Sequence, residues 1–120
     1  MGIGELAGEA VIIYIAGPYR ATSEWGVTEN IRRAEEAAIA VWKLGHVALC
    51  PHKNTAYFGG ICPDETWLQG DLELLTRCDA VYFIPGWEKS SGCRVEHERA
   101  IWLDIPIFLS LEAIPRRYPT

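Results

Sequence analysis

Residues 11–16 read VIIYIA, six apolar side chains in succession, closed by Gly17 and Pro18. Successive strand residues point to opposite faces of a sheet, so a run with no polar member meets water on neither side. Such a strand belongs inside a sheet covered above and below. The rest of the chain supplies the cover in alternation. The loop GPYRATSEWG leads to a helical pattern over 28–44, where Ile31, Ala34, Ala38 and Val41 recur at three- and four-residue steps. Thr28 is its expected N-cap and Gly45 its C' residue. Residues 46–50 (HVALC) make a second strand stopped by Pro51, and 51–63 a long polar loop containing glycine. Asp64 is expected to cap a helix running to about Arg77. Residues 79–84 (DAVYFI) are the third strand, 91–103 a helix and 105–111 (IPIFLSL) the fourth strand. The remaining EAIPRRYPT reads as a tail or the edge of a subunit contact.

Strand and helix alternate with crossover-length connections, which predicts one α/β domain over 1–120, Rossmann-like, with a parallel sheet flanked by helices. The 120 residues suffice for one core and not for two. Sixteen acidic against eleven basic residues, with no basic block, disfavour polymeric nucleic acid as a partner. No stretch approaches the length of a membrane span. The opening MGIGELAGEA lacks the basic start and apolar run of a signal peptide, so a cytoplasmic location is expected. Four cysteines without a C-x-x-C pair fit reduced, small apolar side chains. The spacing of Cys50, His52 and Cys62 is irregular for zinc, and no metal or cofactor is expected.

In a parallel sheet the ligand crevice lies beyond the carboxyl ends of the strands. The loops that begin at Gly17, Pro51 and Pro85 leave from those ends, which gathers GPYR, PHKN and GWEKSSG around one mouth. Strand order does not follow from these patterns. Two carboxylates then stand out. Glu96 shares the stripe of Cys93, Ala100 and Leu103, and Asp71 sits among Leu68, Leu72 and Leu75. A buried carboxylate without a partner costs several kcal/mol, so each needs a donor, a partner or a wet cavity, unless it turns outward from the stripe edge. Paired carboxylates in one crevice are the usual equipment for breaking a glycosidic bond.

Ser90, Ser91 and the amides of Gly92 and Cys93 open a helix and offer an anion site, or Ser90 and Ser91 serve as plain caps. Arg20 reads either as a phosphate ligand or as a surface ion-pair residue. His52 reads as a ligand contact or as a loop histidine bonded to nearby backbone. Trp87 reads as a wall of the pocket, a core residue or a subunit contact. His97 points about 100° away from Glu96 around the helix, which argues against a catalytic pair between them.

From VIIYIAGPYR through WLQGDLELLTRCDAVYFIPGWEKSSGCRVEHERA to the last strand, the chain resembles the nucleoside 2-deoxyribosyltransferase-like superfamily. It is most similar to the short phage and bacterial members and to the deoxynucleoside-monophosphate N-glycosidase branch. The resemblance implies that Glu96 attacks C1' of the sugar, that Tyr14 meets it with its hydroxyl, and that Asp71 assists proton transfer at the base. Hydrolase-like residues occur at Arg20, His52 and Ser90, which implies a nucleoside 5'-monophosphate substrate, deoxy or ribo. Alternatives are a 2-deoxyribosyltransferase that exchanges bases and a nucleotide-binding protein without turnover. Transferases carry an Asn or carboxylate from the far end of the chain into the site, and no clear match for it occurs here. The hydrolases borrow a serine from a partner subunit, for which Ser110 is a loose candidate. A homodimer or higher homo-oligomer, in a bacterial cell or encoded by a phage, is the corresponding expectation.

Overall fold

The computed structural model describes residues 9–117. Most of the opening segment and the last three residues of the tail, both interpreted above, lie outside the described residues. Four strands alternate with helices: β1 (Ile12–Ala16), α1 (Glu24–Lys43), β2 (Val47–Leu49), α2 (Pro51–Asn54), α3 (Asp64–Thr76), β3 (Ala80–Phe83), α4 (Ser91–Leu103) and β4 (Ile107–Phe108). All strand pairs are parallel, in the order β2-β1-β3-β4. The α/β class, the parallel sheet and its helical cover are as expected.

The alternation of β1 divides the core. Ile13 and Ile15 join Ala34, Ala38 and Val41 of α1 on one face, while Tyr14 and Ala16 join Leu72, Leu75, Cys93 and Ala100 of α3 and α4 on the other. β1 and β3 are the central neighbours, with Tyr14 beside Val81 and Ala16 beside Phe83. The chain leaves β1 towards β2 on one side and β3 towards β4 on the other. A crevice therefore opens between the two loops where the direction of winding reverses. Gly17 lies at that point. A Cβ there would stand 2.7 Å from Ile84 Cδ1, so a side chain would displace the Ile84 side chain that packs over this point.

Several boundaries differ from expectation. Helix α1 starts four residues early, capped by Ser23, whose Oγ accepts from the Gly26 amide at 3.0 Å. Thr28 lies inside the helix and shares a 2.8 Å hydrogen bond with the Tyr57 hydroxyl. The added turn carries exposed Trp25 and so shows no apolar stripe to read. Gly45 does follow the cap residue Leu44, with φ of 93°. Pro51 does not open a loop but starts the one-turn helix α2, as proline suits a first helical position. Asp64 is the first residue of α3 rather than its cap. β4 is only two residues long, because Leu109 and Ser110 have already turned out to solvent.

The described end of the tail is docked, not loose. His46 is buried, accepts from the Val11 amide on Nδ1 at 3.3 Å, and donates from Nε2 to the Pro115 carbonyl at 2.6 Å. The Arg117 amide adds a bond to the Leu44 carbonyl at 2.9 Å, and Ile114 enters the α1-side core. Replacing His46 by Leu would leave a buried donor and acceptor unmatched, each costing about 1–3 kcal/mol. His46→Leu is expected to lower Tm by about 10 °C or more in a thermal melt followed by circular dichroism.

Candidate active site

A cleft of about 930 Å³ opens at the carboxyl ends of the central strands. Its walls include Tyr14, Gly17, Arg20, His52, Asp71, Ser90, Ser91, Gly92 and Glu96, nine of the ten residues that the sequence nominated. At its floor the Tyr14 hydroxyl donates a short hydrogen bond to Glu96 Oε2. Tyr14 reaches Glu96 because β1 turns it to the α4 side, and α4 turns Glu96 inward with Cys93 and Ala100. Glu96 is thus buried, as its place on the stripe required, and has its donor. Asp71 is half-buried on α3, facing the same cleft.

Burial is the main cause that pushes the Glu96 carboxyl up to about 7; the Tyr14 hydrogen bond opposes it, and the charge of Asp71 adds to it. Burial also pushes Asp71 up to about 6. Tyr14 is held well above the usual phenol range, first by burial and then by the two carboxylates, so it remains a donor. Both acids are therefore held above the usual carboxylate range, and Glu96 is the deeper of the two.

Around this floor the simpler alternatives are realised beside the cleft. Ser90 caps α4, accepting from the Cys93 amide at 3.2 Å, while the first-turn amides of Ser91 and Gly92 have no partner within the helix. Arg20 pairs with Asp64 at 2.9 Å across the mouth, both side chains being mostly exposed. An exposed pair of this kind is worth about 0–1 kcal/mol, so an anion entering the cleft can replace Asp64. His52 is buried, donates from Nε2 to the Pro18 carbonyl at 2.9 Å, and meets the Tyr19 ring edge-on. Burial lowers its proton affinity, so it is a neutral brace of the Gly17–Arg20 loop.

Trp87 is a nominated residue that the cleft does not include. Its ring stacks on His97 at 4.5 Å and leans on Phe83 at 5.0 Å against the α3/α4-side core, so of the three readings of Trp87 the core residue is realised and the pocket wall is corrected. Cys93 lines the cleft, but burial pushes its thiol up to about 12, which leaves no thiolate for chemistry. Cys50 and Cys62 are free thiols. Ser110 caps the short 3₁₀ turn at Leu111–Ala113, away from the cleft lining.

Other residues at the site carry no periodic signal that would nominate them. Asn30 holds the loop by donating from Nδ2 to the Tyr19 carbonyl at 3.0 Å and to the Arg20 carbonyl at 3.3 Å. Tyr19 in turn accepts from the amide of Tyr57, a non-glycine residue held at φ 62°. Trp67, beside Leu68 on the wall of the cleft, has a buried indole N–H without a hydrogen-bond partner. The S-E-W-G run that opens α1 is the available signal for Asn30, because a cap at Ser23 moves Asn30 from the first turn to the second.

Residues 11–109 match the family model described as "Domain of unknown function (DUF4406)". No curated protein matches the sequence. Among solved structures, the chain is similar to a 2-deoxyribosyltransferase from the psychrotolerant bacterium Bacillus psychrosaccharolyticus. The TM-score is 0.60 at 22% identity, over 80% of this chain and 69% of the other. That likeness is one of fold. Among the described residues no helix is long and apolar enough to cross a membrane.

Proposed function

The chain belongs to the DUF4406 family, a domain of unknown function, and from the geometry of its cleft we propose that it hydrolyses the N-glycosidic bond of nucleoside 5'-monophosphates. One observation carries the reading: a buried glutamate, held by a tyrosine hydroxyl, faces a second carboxylate inside a cleft rimmed by a helix N-terminus and an arginine. Glu96 in its ionised form attacks C1'. The C1'–N bond breaks as Asp71 passes its proton to the departing base, leaving a glycosyl ester on Glu96. Asp71, now a carboxylate, takes a proton from water as the water oxygen bonds to C1'. The ester bond breaks, Glu96 is released ionised, and Asp71 is again protonated. Tyr14 orients the attacking carboxylate and stays protonated throughout. Trp67, Leu68 and Tyr19 supply the aromatic and apolar surface against which a base packs.

The phosphate is assigned to Arg20 and the first-turn amides of α4, where a helix N-terminus favours an anion. For that, Arg20 exchanges Asp64 for phosphate. Arg20→Ala should raise KM for a nucleoside 5'-monophosphate about 10-fold, corresponding to about 1.4 kcal/mol, and leave that for the free nucleoside unchanged. Asp64→Asn should move KM for the monophosphate the other way, by about 2- to 3-fold. Equal effects on both substrates would remove phosphate from this position.

The likeness in fold to a 2-deoxyribosyltransferase favours a second reading, transfer of the sugar to another base. The ester on Glu96 is common to both, and the acceptor differs. The deciding experiment incubates the protein with nucleosides and 5'-nucleotides, ribo and deoxy, with and without a second free base. Free sugar phosphate supports hydrolysis, and an exchanged nucleoside or nucleotide supports transfer. Tight nucleotide binding with neither product would leave a binding protein.

A further inference from the structure

Helix α3 brings two side chains to the cleft one turn apart. Asp71 and, four residues before it, Trp67 both line the wall, so they share one face of the helix with about 6 Å of rise between them. Trp67 is half-buried, and its ring leans on Phe58 at 6.0 Å. Its Nε1 atom is itself buried, and no acceptor among the described residues meets it. An indole nitrogen only donates, and a buried donor without an acceptor is rare in a folded protein. Two other donors on the same cleft are already engaged: Asn30 with the Tyr19 and Arg20 carbonyls, and His52 with the Pro18 carbonyl. The Trp67 N–H is the one of the three still to be matched.

We propose that Trp67 selects the leaving base, favouring a purine with a carbonyl at position 6 over one with an amino group there. This rests on the nucleotide reading of the cleft given above. Asp71 gives its proton to the base, and in a purine held by its sugar at N9 the ring nitrogen placed to take it is N7. Position 6 carries the next substituent along that edge. The turn of α3 after Asp71 is closed by Leu72 and Leu75 in the core, so the edge of the base runs along the turn before it, where Trp67 stands. An N–H at that place donates to the lone pairs of a 6-carbonyl, whereas it meets a 6-amino group donor against donor. Pairing brings the buried Nε1 round to the cleft by a turn of the indole about its own side-chain bonds. A site built to hydrogen-bond one group discriminates strongly against an analogue that cannot return the bond.

Calorimetric binding to the full chain tests this with the 5'-monophosphates of inosine, purine riboside and adenosine, which carry oxygen, hydrogen and an amino group at position 6. Each is offered in its ribo and deoxy forms. The parent should bind them in that order, the inosine nucleotide at least about 10-fold tighter than the adenosine nucleotide. Trp67→Phe keeps an aromatic ring and removes the donor, and should bring those two within about 2-fold of each other. In the parent, the Trp67 indole N–H resonance should move downfield with the inosine nucleotide and not with the adenosine nucleotide, a response that a merely structural tryptophan would not give. A parent that binds neither nucleotide, or both equally, overturns the inference. So does a preference that survives in Trp67→Phe. Should that variant fail to fold, the indole resonance decides the matter alone. Base release is scored separately: the inosine preference in binding, with no base freed from either nucleotide, would end the glycosidase reading and leave the role of Trp67 standing.

Discussion

Glu96→Gln is expected to abolish release of base from nucleoside 5'-monophosphates and, at the same time, to make the folded protein more stable above neutral pH. The loss should be at least about 10³-fold in kcat, since removing the nucleophile of a covalent mechanism removes the pathway itself. The gain follows from burial. The carboxyl of Glu96 rises from 4.5 to about 7 on folding. A group whose folded value is raised contributes fully below its unfolded value, and that contribution is lost as pH climbs through the folded one. Between about pH 4.5 and about pH 7 the parent therefore loses roughly 3 kcal/mol that a glutamine does not lose. Gln keeps an amide oxygen to accept from Tyr14, so the fold retains its central hydrogen bond. Urea unfolding at about pH 4 should find the two proteins nearly equal, and at about pH 8 the variant ahead by about 3 kcal/mol. A variant that turns over at the parent rate would show that Glu96 is not the nucleophile. A variant without extra stability at the higher pH would show that Glu96 titrates as an ordinary surface acid.

Asp71→Asn is expected to slow turnover by about 10²- to 10³-fold and to change the form of the pH profile. In the parent, one carboxyl must be ionised and the other protonated, so kcat/KM should be bell-shaped with flanks near 6 and 7. Those values belong to the pair rather than to either residue. The productive arrangement is the singly protonated pair with Glu96 ionised and the proton on Asp71. An asparagine in place of Asp71 has no proton to lose in this range, and the alkaline flank should vanish. The charge of Asp71 raises Glu96, so its removal should shift the remaining rising flank to lower pH. A bell that survives in the variant would assign the alkaline flank to another group.

Much of this site is legible in the sequence because the relevant signals are local. The three- and four-residue steps of α4 mark Glu96 as inward-facing whatever the strand order, since helical phase depends only on spacing. The same holds for Asp71 on α3, whereas Tyr14 lies in a strand that is apolar on both faces and is singled out only by the family resemblance. Where a segment leaves the sheet, that signal fails. The first turn of α1 overhangs with Trp25 in water, so the apolar stripe begins late and points to Thr28 instead of the true cap, Ser23. Proximity along the chain to Ser90 suggests the cleft for Trp87, whereas His97, further along α4, draws it to the other side.

What the sequence by itself determined is the alternation of elements, the inward phase of the two acids, and the gathering of three loops at one edge of the sheet. Only the tertiary structure decided that β1 lies beside β3, which brings Tyr14 to a glutamate 82 positions away. It alone also decided that Arg20 meets Asp64, that Asn30 ties the first loop, and that burial raises both Glu96 and Asp71. The division has one physical reason. Periodicity is written between neighbours along the chain, whereas desolvation and Coulomb interactions depend on distances through space that only the packed fold sets.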